Sequence, residues 1–448
     1  MLLTILVAIS TLVTVLLLLL PSPRQADDPQ CSVQVVVLGD LGRSPRMQYH
    51  ALSIATHGGR VQLVGYRETD PLPELVAHTR VTLVPLTPAP RWLQTGNKLL
   101  FLAVGPLKVL LQTWTLWNTL SYTTTASKWM LVQNPPSIPT LLVVAIVCFF
   151  RRTRLIVDWH NFGYSILALK LGADHPLVRI SKSYEVSLAK AATTNFTVTD
   201  AMARVLKSNY KITAPILTLH DRPAELYQPL TASKRLAFLQ RYPLTQDHFN
   251  AIVESKVRLL VSSTSWTADE DFGLLLDALC SYSASAASTH PQLPKLVVVI
   301  TGKGPQKQFY LDKIRELRST QALDMVSIYT DWLSFEDYAL LLGSADLGVS
   351  LHTSSSGVDL PMKVVDMFGA GLPVAGWSRF AAWPELVTEN VNGKGFGSSE
   401  ELADILRELF DPGSRQLARL KEGAIKESQR RWNSEWDPVA GKLFGLAD

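Results

Sequence analysis

Apolar and β-branched positions in this chain gather into short runs, several carrying a polar residue, separated by amphipathic or turn-rich stretches. In the first half, residues 33–38, 60–66, 81–86, 155–159, 196–199 and 216–219 are such runs. In the second half they recur at 257–261, 295–300, 326–330, 347–351 and 372–375. Continuous rather than alternating hydrophobicity marks strands covered on both faces, as in parallel sheets. Between them lie segments with helical spacing, such as 45–57, 269–281 and 336–343. Strand alternating with helix predicts an α/β fold with two doubly wound, Rossmann-like domains. The stretch 224–255 is polar and turn-rich, and it divides the chain into domains at 32–223 and 256–448. No short-period repeat is present.

Three segments are more apolar than this scheme needs. Residues 2–20 carry no charge and end in five leucines, about one bilayer thickness as a helix. No basic residue precedes them and Pro21-Ser22-Pro23 follows, so an uncleaved anchor over 1–21 is expected rather than a signal peptide. Arg24 on its C-terminal flank places the body in the cytosol by the positive-inside rule. Residues 98–120, with Trp114 and Trp117, and 137–150, followed by Arg151-Arg152-Thr153-Arg154, are either core helices or segments that touch a membrane interface. The sequon Asn195-Phe196-Thr197 falls in a strand-like run and reads as incidental.

Composition narrows the classes. The chain has 448 residues, 47% hydrophobic and 18% charged, with a net charge of +4, which fits a globular protein and not a nucleic-acid binder. Its 3 cysteines are far apart and form neither a metal set nor a disulfide framework.

Candidate chemistry sits where loops follow strands. In His352–Val374, a Ser/Gly loop containing Ser355, Ser356, Gly357 and Leu360 leads into a helix, with Asp359 as the expected N-cap and Pro361 in the first turn. Lys363 and Asp366 share one face of that helix. They are either a surface ion pair or the two ends of a nucleoside diphosphate site, lysine on phosphate and carboxylate on ribose. Gly302-Lys303-Gly304 is a second such corner, and Lys303 and Lys363 are expected to converge on one diphosphate. Asp269-Glu270-Asp271 has the letters of a metal-binding D-x-D, but at a helix start it reads as capping. No metal or other cofactor is expected. In the first half, Gly39-Asp40-Leu41-Gly42-Arg43-Ser44-Pro45-Arg46 follows the first strand, and Asp158-Trp159-His160 ends another. Asp40 and His160, the latter beside Asp158, are the two candidates for a general base, with Asp40 preferred.

Four motifs carry a resemblance: Leu38-Gly39-Asp40-Leu41-Gly42-Arg43-Ser44-Pro45-Arg46-Met47-Gln48-Tyr49-His50, Asp158-Trp159-His160-Asn161-Phe162-Gly163-Tyr164, Thr330-Asp331-Trp332-Leu333, and the run 354–369. Together they are similar to the chitobiosyldiphosphodolichol β-mannosyltransferases, and the likeness spans nearly the whole chain. It implies a GT-B fold, two Rossmann-like domains facing a cleft, with an N-terminal membrane anchor helix. The family's donor is GDP-mannose and its acceptor is dolichol-diphosphate-linked chitobiose, at the cytosolic face of the endoplasmic reticulum membrane. Other dolichol-pathway mannosyltransferases are expected partners. The first mannose would be joined β-1,4 by inverting single displacement.

By position, the resemblance gives the donor diphosphate to Gly302, Lys303, Gly304, Lys363 and the 355–360 loop, and the ribose to Asp366. Gly42, Arg43 and Arg46 fall to the acceptor diphosphate. Val358 stands where related GT-B enzymes carry the first acid of an E-x7-E pattern. Two alternatives remain: another membrane-anchored GT-B transferase of the pathway with a different donor, or a non-catalytic scaffold subunit. A dinucleotide enzyme is disfavoured, since neither half has GxGxxG.

Overall fold

A computed structural model of the chain describes residues 10–11, 14, 20–23, 31–90, 93, 98–267 and 270–447. The expected anchor over 1–21 and its flank Arg24 lie largely outside the described residues. Among those described, no helix is long and apolar enough to cross a membrane. The chain forms two compact units. One holds 1–198, 202–219 and 436–448; the other holds 199–201 and 220–435.

The first unit is built on seven parallel strands: β1 (Ser32–Asp40), β2 (Arg60–Tyr66), β3 (Val81–Pro85), β4 (Trp129–Asn134), β5 (Arg154–Trp159), β6 (Thr194–Thr197) and β7 (Ile216–Thr218). Their order is β3-β2-β1-β4-β5-β6-β7. The chain therefore winds outward from β1 in one direction, then from β4 in the other. Right-handed crossovers put α1 (Pro45–Thr56) on one face. The other face takes α2 (Lys98–Asn118), α3 (Thr140–Arg151), α4 (Gly163–Leu171) and α5 (Pro176–Ala189). Val33, Val35, Val36, Met130, Leu131, Ile156 and Val157 are fully buried between these layers, as a two-sided parallel sheet requires.

Strand β4 was not among the runs singled out by pattern, because a four-residue apolar run cannot be told from a helix turn by periodicity. The final segment also differs from the expected 256–448 domain. Trp436 returns to the first unit, donating its indole N–H to His50 Nδ1 at 3.0 Å. Asn195 is fully buried, accepting the Trp159 indole N–H at 2.9 Å, so the sequon is closed to glycosylation in the folded chain.

In the second unit, β8 (Val257–Ser263), β9 (Lys295–Thr301), β10 (Val326–Asp331), β11 (Leu347–Ser350), β12 (Val374–Trp377) and β13 (Gly393–Phe396) form a parallel sheet in the order β10-β9-β8-β11-β12-β13. The stretch 224–255 is no free connection. It folds into helices of this unit, such as α6 (Ala232–Arg241), where Arg235 Nε donates to the Ser344 carbonyl at 2.9 Å. Phe272, Leu276 and Tyr282 of α7 (Phe272–Ala287) join Val298, Leu347 and Phe396 from the strands in one core. Each sheet thus has one reversal of winding, between β1 and β4 and between β8 and β11. Loops at the carboxyl ends of such neighbours are where open α/β sheets bind ligands.

Candidate active site

In the first unit, the strand ends beside its reversal gather a buried charge cluster. Asp158, last but one in β5, has no exposed surface. Arg46, in the first turn of α1, grips it bidentately, Nε to Oδ2 at 2.8 Å and Nη2 to Oδ1 at 2.9 Å. The remaining guanidinium arm donates to the Leu219 carbonyl at 2.8 Å. His50, one turn further along α1, places Nε2 at 3.4 Å from Asp158 Oδ2. Because the Trp436 N–H occupies its Nδ1, neutral His50 carries its proton on Nε2, toward the carboxylate. Burial holds His50 below the ordinary imidazole range. Burial also works to raise Asp158, but Arg46 and His160 outweigh it, and the carboxyl lies well below its usual value.

His160, half-buried, completes the cluster with Nε2 at 2.9 Å from Asp158 Oδ2. An ionised Asp158 accepts there, so His160 holds its proton on Nε2 and Nδ1 becomes the basic nitrogen. A histidine so held by a carboxylate can serve as a general base with its orienter. Behind it, the buried Glu185 accepts from Asn134 Nδ2 at 2.8 Å and from the Gly163 and Tyr164 amides at 3.2 and 3.3 Å, fixing the turn after β5.

Two of the expected site residues have other partners here. Arg46 is buried and bonded to Asp158. Asp40 is likewise engaged within the fold. Its Oδ1 accepts the Glu68 and Thr69 amides at 3.0 and 3.1 Å, and its Oδ2 accepts the Thr69 hydroxyl at 2.6 Å. Desolvation acts to raise its pKa, but these hydrogen bonds hold it below the ordinary range, which suits a strut better than a base. Gly42 serves the same joint: a Cβ there would lie 2.3 Å from Thr69 Oγ1. Arg43, by contrast, is 76% exposed, with its Nε 3.5 Å from Asp40 Oδ2.

In the second unit the loops after β8, β9 and β11 meet at its reversal. Gly302 (φ 141°) and Gly304 lie so close to the loop after β8 that a Cβ would stand 1.7 Å from the Thr264 carbonyl oxygen or 1.8 Å from that of Ser265. Only glycine allows this contact. Lys363, in α8 (Met362–Gly369), reaches the same loop, donating to Ser265 Oγ at 3.2 Å and pairing with Glu270. Glu270 is buried and also accepts the Thr264 hydroxyl at 2.8 Å. Lys303 lies with its ammonium 4.2 Å from the centre of the Trp332 ring, on the neighbouring strand end. Lys363 thus touches the Thr264–Trp266 loop, and Lys303 lies between the two glycines that pack against it.

Asp366 reaches this end of β8 by another route. Burial raises its pKa to about 8, with the negative charge of Asp221 adding to the effect. Burial also raises Tyr338, whose hydroxyl lies 2.7 Å from Ser263 Oγ. In the Ser/Gly loop, Asp359 does not cap the helix; Pro361 holds the N-cap position. Asp359 instead binds His352 Nε2 at 3.0 Å and the Ser354 and Ser356 hydroxyls. The Gly357 and Val358 amides are taken by Ser354 and Ser356 hydroxyls at 2.8 and 3.4 Å, while Leu360 is buried.

Of the acidic triplet, Asp269 lies outside the described residues, and Asp271 caps α7 through the Gly273 amide at 2.9 Å. A separate group, Asp200, His220 and Glu385, brings possible ligand atoms within 4.8 Å of one another. Glu385 there already accepts the Ala201 amide at 2.7 Å. Sequence reasoning did not find Glu270, His50, Glu185 or the His352–Asp359 pair. His50 and Glu185 are defined by long-range packing, the His352–Asp359 pair by the turn of its loop, and only the acidic triplet offered a signal for Glu270.

No protein-family model matches the chain. A protein of Arthroderma benhamiae named chitobiosyldiphosphodolichol beta-mannosyltransferase is 50% identical over 434 residues, covering 96% of this chain and 95% of that one. An Arabidopsis thaliana protein named UDP-glycosyltransferase TURAN is 42% identical over 456 residues, covering 92% and 96%. The crystal structure of Anabaena HepE in complex with UDP matches with a TM-score of 0.62 at 15% identity, over 93% of this chain and 100% of that one, a likeness of fold. With half its residues identical over nearly the full length of both proteins, the chain belongs to the chitobiosyldiphosphodolichol β-mannosyltransferase family.

Proposed function

We propose that this transferase adds the first mannose to dolichol-diphosphate-linked chitobiose, in β-1,4 linkage, from GDP-mannose. The observation that carries the reading is the meeting of Lys363, Ser265 and the glycine corner 302–304 at the winding reversal of the second unit. That is a diphosphate-sized set of donors on a rigid sheet end. Lys363 would exchange Glu270 for the β-phosphate as charge develops on departing GDP, with Lys303 beside it. Asp366, its carboxyl pKa raised to about 8 by burial, suits hydrogen bonding to ribose hydroxyls.

In the first unit, His160 is the base, in place of Asp40. Its Nδ1 takes the proton of the acceptor 4-hydroxyl as that oxygen bonds to the mannose C1. The C1–O bond to GDP breaks with its electron pair passing to the β-phosphate oxygen, inverting the α-linked donor. Asp158 holds the ring and stabilises the imidazolium, and Arg43 offers a cation to the acceptor diphosphate. The reaction needs no metal in this reading, and the chain works at the cytosolic face of the endoplasmic reticulum, held by its N-terminal apolar run.

A second donor reading, a UDP sugar, is favoured by the name of the Arabidopsis relative. GDP-mannose and UDP sugars, each labelled in turn and competed by the other unlabelled, on a synthetic chitobiosyl-diphosphate lipid with and without EDTA, test both points. Label transferred despite excess UDP sugar and EDTA supports the proposal; transfer only from a UDP sugar overturns it.

A further inference from the structure

On the first unit, α2, α3, α5 and α4 pack side by side in that order. The Tyr184 hydroxyl fastens α5 to α3, accepting the Leu142 amide and donating to the Pro139 carbonyl, both at 3.2 Å. The outward side of this row is apolar. Leu110 is 65% exposed, Trp114 67%, Phe149 78%, Ile180 61% and Leu169 57%. Helical spacing makes these faces and not scattered residues: Leu107, Leu110 and Trp114 on α2, and Leu142, Ile146 and Phe149 on α3. Isolated exposed leucines need no explanation, but a run across four adjoining helices marks an interaction surface.

Charge identifies the partner. The four helices contain no acidic residue except Glu185, which is buried, while Lys108, Lys170, Arg179 and Lys182 lie among or beside the apolar positions. At one end of the row a groove of about 390 Å³ opens between α4 and α5, lined by Arg179, Lys182, Ser183, Tyr164, Asn209 and Tyr210. Lys182 stands 5.2 Å from the Tyr164 ring centre. Two exposed cations with hydroxyl and amide donors match a phosphate ester, and an apolar plane beside them matches acyl chains.

We propose that this face lies on a bilayer containing anionic phospholipid, with Leu110, Trp114, Phe149 and Ile180 at the acyl boundary and a headgroup phosphate in the Arg179–Lys182 groove. The inference rests on the lipid-linked acceptor proposed above only for its purpose, which is to hold the first unit at the depth of the acceptor headgroup.

The test uses the full chain with Cys280→Ser, reconstituted into phosphatidylcholine vesicles with or without phosphatidylserine. Nitroxides are placed at Trp114→Cys, Phe149→Cys and Ile180→Cys, with Phe309→Cys, 65% exposed in the second unit, as an aqueous control. In phosphatidylserine vesicles the three labels should be relaxed by oxygen in preference to a water-soluble nickel chelate, with the control reversed. Arg179→Gln with Lys182→Gln should abolish the difference between the two vesicle types. Labels read by the chelate as strongly as the control overturn the proposal, as do labels shielded from both relaxants, which would mean a protein partner. Equal immersion in both vesicle types removes the headgroup site. Transfer to a short-chain acceptor in detergent should persist in every variant; its absence in the parent chain strikes the proposed function and leaves the surface standing.

Discussion

Asp158→Asn offers the sharpest physical test of the first unit. The substitution keeps shape but removes the charge that faces Arg46, and the Arg46 side chain is only 4% exposed. With contacts of 2.8 and 2.9 Å, the charge centres stand about 4 Å apart, worth about 4 kcal/mol at an effective dielectric near 20. Breaking a buried pair on one side generally costs ~3–5 kcal/mol, because the survivor stays buried and uncompensated. The expected loss is therefore about 4 kcal/mol in guanidinium unfolding read by tryptophan fluorescence. Replacing both partners, Arg46→Met with Asp158→Leu, should recover most of it. The sign with pH follows from the depressed carboxyl: its contribution is complete above the unfolded value of about 4 and is lost as pH falls through the lower folded one. The asparagine would also loosen the His160 ring, so turnover should fall by about 10³ or more while GDP binding stays near parental. An asparagine variant within about 1 kcal/mol of the parent would refute the ionised buried pair.

Other substitutions probe the second unit. Lys363→Met should weaken GDP binding by about 10- to 100-fold in calorimetry, the loss of a charge-assisted phosphate contact. Gly302→Ala should destabilise the chain by ~3 kcal/mol or more in thermal unfolding, since its Cβ would meet the Thr264 carbonyl at 1.7 Å. Asp366, with its pKa raised to about 8, holds a proton in the folded state that the unfolded chain has released above about pH 4, so stability falls as pH rises between these values. Asp366→Asn should abolish that decline and stand about 2 kcal/mol above the parent at pH 8, the partial exposure of the side chain limiting the gain.

Pattern alone located much of the architecture. The run 60–66 is β2 to the residue, and most strands of both parallel sheets fall on the predominantly apolar runs spaced by helices. Strand β13 escaped notice because Gly393 and Gly395 interrupt any apolar signal in a four-residue strand. The return of Trp436 to α1 could not be read locally, since its partner His50 is 386 positions away. The strand-end placement of Lys303 and His160, and of Lys363 at the start of α8, was legible, but their partners Trp332, Asp158 and Glu270 were not. Arg43 and Arg46 look alike in sequence. Arg43 ends the turn before α1 and stays exposed beside Asp40, whereas Arg46 in the first turn of α1 is buried on Asp158. Asp40 invited a catalytic reading until Thr69 filled its lone pairs, and Glu270 was hidden within an acidic triplet that otherwise begins a helix.

The account turns on His160 as the group that takes the acceptor proton, oriented by Asp158 and independent of donor binding. Radiolabelled mannose transfer from GDP-mannose to a chitobiosyl-diphosphate lipid, measured for His160→Ala beside Asp40→Asn, tests this most directly. Transfer should fall by about 10²–10⁴ in His160→Ala with GDP-mannose still bound, and Asp40→Asn should be active wherever it folds. Near-parental turnover in His160→Ala, or its collapse in a folded Asp40→Asn, would contradict it.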